Sequence, residues 1–92
     1  MSEVKTDELV VPEVHMNGTG KRALVDQVMN AVHAASKLLD ALAGMSPHGR
    51  DYYVLGDDVF LKAREQHDQR VIKVNSVFEE LQALVLKIDE QG

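Results

Sequence analysis

From Asp57 to Glu90 the chain runs without a proline or a glycine, and its apolar residues recur at helical spacing throughout. That stretch limits what the chain can fold into. Seven-residue steps from Phe60 lead to His67, Val74, Leu81 and Ile88. Three residues after the first four come Ala63, Arg70, Val77 and Leu84, and one further on come Arg64, Val71, Phe78 and Val85. This is a heptad seam with a second flank beside it, broader than the two-position stripe of a simple coiled coil. A face of that width suits a helix with more than one neighbour, as in a bundle. Gly56 precedes Asp57 and Asp58, either of which can cap the start and favour the positive end of the helix dipole. Gly92 stands where a helix would stop. At ~1.5 Å per residue such a helix is on the order of 50 Å long.

The seam has one polar interruption. His67 and Arg70 both fall on core positions, with Arg64 just before them. The simplest expectation is a polar layer that sets register or partner number, with the long arginine side chains reaching out to water.

A second helix is written over residues 20–44. Val25, Val28, Val32, Ala35, Leu39 and Leu42 alternate by three and four, while Leu24, Ala31, Leu38 and Met45 form a flank at seven-residue steps. Met29 and Ala43 widen the other side. Asn17-Gly18-Thr19-Gly20 is a turn in front of it, with Thr19 as the expected N-cap. Gly44 is the expected stop, followed by Ser46-Pro47.

The expected fold is therefore all-α. It comprises an extended, partly mobile N-terminal segment over residues 1–16 and a helical hairpin domain over residues 17–92. The hairpin has helices over about 20–44 and 57–90, joined by a connection over 45–56. Set antiparallel, the end of the first helix beside the start of the second, His67 falls near Ala35 and Ser36. Val74 then falls near Val28 and Val77 near Val25, while Leu84, Val85 and Ile88 project beyond the first helix. Leu9-Val10-Val11-Pro12-Glu13-Val14 is the only apolar stretch upstream. Its proline rules out a helix interior or a central strand, so an extended segment laid on the end of the long helix, in the same chain or a neighbour, is expected. Leu9 and Val11 are also candidates for contact with another protein. Met1 to Glu8 is polar and acidic, without periodicity.

Two helices and a short flap do not cover two broad apolar faces, and monomers seldom leave so large a patch in water. A homodimer forming a four-helix bundle is the expected solution. The connection is long for a helix–helix link and holds both tyrosines. Tyr52, Tyr53, Val54 and Leu55 can close the end of a bundle; alternatively Arg50, Asp51, Tyr52 and Tyr53 form a recognition patch of the residue types that dominate contacts. The two roles are compatible, with one tyrosine inside and the other displayed.

Composition narrows the function. Cys is absent, which excludes thiolate catalysis, disulfides and cysteine-bound zinc. The net charge of -5 argues against direct binding of nucleic acid, which needs a basic face. No run is apolar enough for a membrane span and no basic-then-apolar leader is seen, so a soluble cytoplasmic protein is expected. His15, His33, His48 and His67 show no metal-ligand spacing. Gly18-Thr19-Gly20-Lys21 lacks the upstream glycine, the following Ser or Thr and the sheet of a phosphate loop. Glu79-Glu80 and Asp89-Glu90 read as solvated acidic surface. No catalytic, cofactor or metal site is expected, and the chain reads as non-enzymatic.

His15-Met16-Asn17-Gly18-Thr19, then Ser46-Pro47-His48-Gly49-Arg50-Asp51-Tyr52-Tyr53, then Glu65-Gln66-His67, are spread over most of the chain. In this pattern it resembles a group of short helical proteins of phage and bacterial genomes. No activity is assigned to that group, so the resemblance transfers no catalytic residue. It implies a phage or mobile-element setting and an accessory or interaction role. In the group an acidic residue after the threonine completes a capping box; here Arg22 stands there and the box is incomplete. An acidic inhibitor of a basic nucleic-acid-binding surface, with Glu79, Glu80, Asp89 and Glu90 as its charge, and a minor virion component are the other expectations.

Overall fold

A computed structural model describes residues 9–91 of the chain. The N-terminal octapeptide and Gly92, for which mobility and a helix stop were expected, lie outside the described residues. Helix α1 spans Lys21–Ala43 and helix α2 spans Asp57–Asp89. The two pack antiparallel along their length as a hairpin measuring 62 × 23 × 16 Å. Its radius of gyration is 18.3 Å, whereas a compact chain of this length has about 12 Å. No strand occurs among the described residues.

The inner seam of α1 is the expected one. Val32 and Leu42 are buried, and Val25, Val28, Ala35 and Leu39 are half-buried. On α2 the seam runs through Phe60, Ala63, His67, Val71, Val74, Phe78, Leu81, Val85 and Ile88, all buried or half-buried. The expected positions Arg70 and Val77 are exposed instead. The cause is the pitch of an α-helix. At 3.6 residues per turn a straight helix drifts ~20° per heptad, so a stripe that starts on Phe60 and Ala63 passes to Val71 and Phe78.

The register also differs from the one expected. Lys21 lies opposite Asp89, 3.9 Å apart, and Ser46 lies opposite His67. His67 therefore faces the last turn of α1 and the start of the connection, not Ala35 and Ser36. Leu84, Val85 and Ile88 do not project beyond α1; its first turns lie alongside them. The reason is the connection, which folds back on α2. Gly49–Asp51 and Tyr53–Leu55 are single helical turns, and the Tyr52 ring lies 6.0 Å from that of Phe60, tilted by 44°. The first turns of α2 are thus occupied by the connection, and α1 slides toward the far end.

The helix ends also correct the expected caps. Gly20, not Thr19, is the N-cap of α1, with no side-chain hydrogen bond. Gly56, not an aspartate, is the N-cap of α2. Asp57 and Asp58 lie inside the first turn, where they favour the dipole without capping. Gly44 follows Ala43 as expected but keeps helical angles, φ -72°. Ser46 and Pro47 make the stop. The Ser46 hydroxyl donates to the Ala43 carbonyl at 3.2 Å, and a residue before proline is driven out of helical geometry.

Gly56 has φ +100°, ψ 157°, a region in which a Cβ is strained even though open space surrounds it. Gly56→Ala should lower stability by about 1–2 kcal/mol through backbone strain alone. A urea midpoint that falls without change in slope would record it.

Candidate interaction surface

At the free end of the hairpin the connection separates its two tyrosines. Tyr52 turns in and is half-buried on Phe60. Tyr53 turns out and is 75% exposed, and Val54 beside it is 74% exposed. Leu55, Arg50 and Asp51 are also exposed. Val54 and Leu55 therefore do not pack on the end of the hairpin, whereas Tyr52 does, on Phe60. The backbone beneath them is tied by turn hydrogen bonds, Asp51 N–H to His48 carbonyl at 3.1 Å and Leu55 N–H to Tyr52 carbonyl at 2.8 Å. The outcome is an apolar knob, Tyr53-Val54-Leu55, with a charged pair beside it.

At the opposite end the N-terminal segment is clasped by Gln91. The Gln91 amide accepts from the Val14 N–H at 2.7 Å and donates to the Pro12 carbonyl at 2.8 Å. One primary amide thus satisfies a donor and an acceptor of an extended backbone, as a strand neighbour does. Lys21 donates to the Gln91 carbonyl at 2.8 Å, placing a cation at the negative end of α2. Its ion pair with Asp89 is solvent-exposed and adds little. The segment docks on the end of α2 of its own chain, where the sequence leaves open its own chain or a neighbour. Leu9, Val11 and Val14 are half-buried and Val10 is exposed. Leu9 and Val11, expected as partner contacts, are thus partly taken up within the chain, and Val10 and Met16 are apolar side chains this segment displays. Sequence patterning did not distinguish them, because the alternation depends on which face meets α2.

His67 is 4% exposed. The Ser46 hydroxyl lies 3.2 Å from the Ala43 carbonyl and 3.4 Å from His67 Nε2, bridging the two. His67 Nδ1 is buried and finds no hydrogen-bond partner among the described residues. Arg70, expected in the same polar layer, is exposed, so the buried layer is a single histidine. Beside it an open depression of about 410 Å³ is lined by Leu39, Ala43, Ser46, His67, Asp68, Val71 and Ile72.

Among the described residues no cluster of His, Cys, Asp or Glu is placed to hold a metal ion. No helix of the described residues is long and apolar enough to cross a membrane. Glu79 and Glu80 do not share a face: one is exposed and the other half-buried. Compared with family models, with curated proteins and with solved structures, the chain finds no match.

Proposed function

We propose that the chain is a non-enzymatic interaction protein that self-associates as a dimer and presents the Arg50–Leu55 connection to a protein partner. The observation that carries this is the exposure of Tyr53 and Val54 on a connection pinned from below by Tyr52 and Phe60. Adjacent large apolar side chains held in water on an ordered turn cost free energy unless something covers them. Tyrosine and arginine are both enriched among the residues that dominate protein contacts. The phage or mobile-element setting implied by the sequence resemblance belongs to the same proposal.

Tyr53→Ala is the test. Tyr53 touches little of its own chain, so its removal should change stability by less than about 0.5 kcal/mol. Binding to a protein captured by the wild type should weaken at least about 10-fold and be insensitive to salt, as expected of an apolar contact. Binding that instead collapses with salt and survives Tyr53→Ala would reject the knob in favour of the acidic residues.

A further inference from the structure

Helix α1 carries two heptad seams, and only one is used within the hairpin. The inner seam is the one packed on α2. One residue before each inner position runs a second stripe, apolar or small except at Gln27: Leu24, Gln27, Ala31, Ala34, Leu38, Ala41, and then Met45 just past the helix. The steps are three and four throughout, which is the spacing of a coiled-coil stripe. No charge falls on it; Arg22, Asp26, His33, Lys37 and Asp40 all lie elsewhere around the helix. Leu38 is 47% exposed and Met45 56% exposed, and Gln27, Ala31, Ala34 and Ala41 are exposed as well, while Leu24 is half-buried.

We infer that this outer seam takes a second copy of the same chain, with the two α1 helices antiparallel about a two-fold axis near Ala34 and Ala35. The inference rests on the dimer reading above and specifies its face and direction. Size complementarity supports it. Running α1 against itself antiparallel about that axis sets Leu38 of each copy on the alanines at 31 and 34 of the other. Leu24 of one copy then falls near Met45 of the other. A parallel arrangement stacks Leu38 on Leu38 and alanine on alanine, which leaves gaps between the large layers. Small residues also let helices approach closely, at the short end of the 8–10 Å range. The lack of charge matters because each chain is acidic, and two acidic chains meet best along a face that carries none.

The hairpin is elongated, 62 × 23 × 16 Å, so the chain as a whole exposes 7027 Å² against about 5,300 Å² for a compact monomer of its mass; a standard interface buries ~1,600 Å² over both partners.

The experiment is solution mass by light scattering over a concentration series, for the wild type and Leu38→Glu, with helicity followed by circular dichroism. The wild type should be a dimer. Leu38→Glu should keep its helicity and self-associate at least about 30-fold more weakly, as for loss of a contact hot spot. Because the chain has no cysteine, direction is read separately by mixing Leu24→Cys with Met45→Cys under oxidation. Cross-links between the two variants, and not within either, are expected. A wild type that is monomeric at every concentration would overturn both the dimer and this face. A dimer unaffected by Leu38→Glu, or one in which each cysteine variant cross-links to itself, would overturn this face or its direction while leaving the dimer standing.

Discussion

Ile88→Ala is expected to destabilise the chain by about 2–5 kcal/mol, the range for removing most of a buried aliphatic side chain. Ile88 is 0% exposed, and it shares the buried apolar class only with Val32 and Leu42 among the described residues. So small a core has no redundancy. Domains of this size have only ~5–15 kcal/mol in total, so the loss is a large share of it. Ile88 also lies where α2's last turns, the start of α1 and the Gln91 clasp meet, so the cavity would not be relieved by collapse of one element. At ~4–8 °C per kcal/mol the melting temperature should fall by at least about 8 °C. Leu86→Ala is the control. Leu86 is two residues away on the same helix and is exposed, so its truncation should shift stability by less than about 0.5 kcal/mol. Equal losses in the two variants would contradict the packing described.

His67→Leu is expected to act in the other direction, raising stability by about 1–3 kcal/mol. That is the cost of a buried polar atom left unpaired, and leucine removes it. The Nδ1 atom of His67 has no partner among the described residues, and its Nε2 contact to Ser46 is long at 3.4 Å. Ser46 is exposed, so water replaces the lost partner at little cost. Leucine has a good helical rotamer and extends the apolar seam between Ala63 and Val71. The measurement is the guanidinium midpoint at unchanged slope. Destabilisation would show that the Ser46 hydrogen bond and the shape of the imidazole outweigh the orphan nitrogen. The substitution should also loosen register, since a lone polar position in a seam penalises every slip that buries it elsewhere. A broadened or mixed oligomer distribution for His67→Leu would record that.

The knob and the buried histidine show how far sequence alone reaches into the candidate site. Tyr52 and Tyr53 are neighbours of the same type, so composition places an aromatic pair in the connection without saying which is displayed. Phe60 decides it, by giving Tyr52 a ring to pack on. His67 and Arg70 both occupy nominal seam positions, and only the drift of the real helix separates a buried group from an exposed one.

Periodicity and helix breakers determined the helices themselves. Two apolar stripes at spacings of three and four, bounded by Gly20, Ser46-Pro47 and Gly56, yield helices at Lys21–Ala43 and Asp57–Asp89 because those signals act within a few residues of chain. An antiparallel hairpin follows, since a link of a dozen residues brings α2 back beside α1. The register was decided only in three dimensions. It depends on where the connection folds, which depends on Tyr52 reaching Phe60 and on Lys21 reaching the end of α2. Those contacts join residues far apart in sequence, and a repeat of seven fits equally well one turn or more away. The Gln91 clasp on Pro12 and Val14 was decided in the same way. A polar side chain near the C-terminus carries no local signal that it will hold a backbone 77 residues distant.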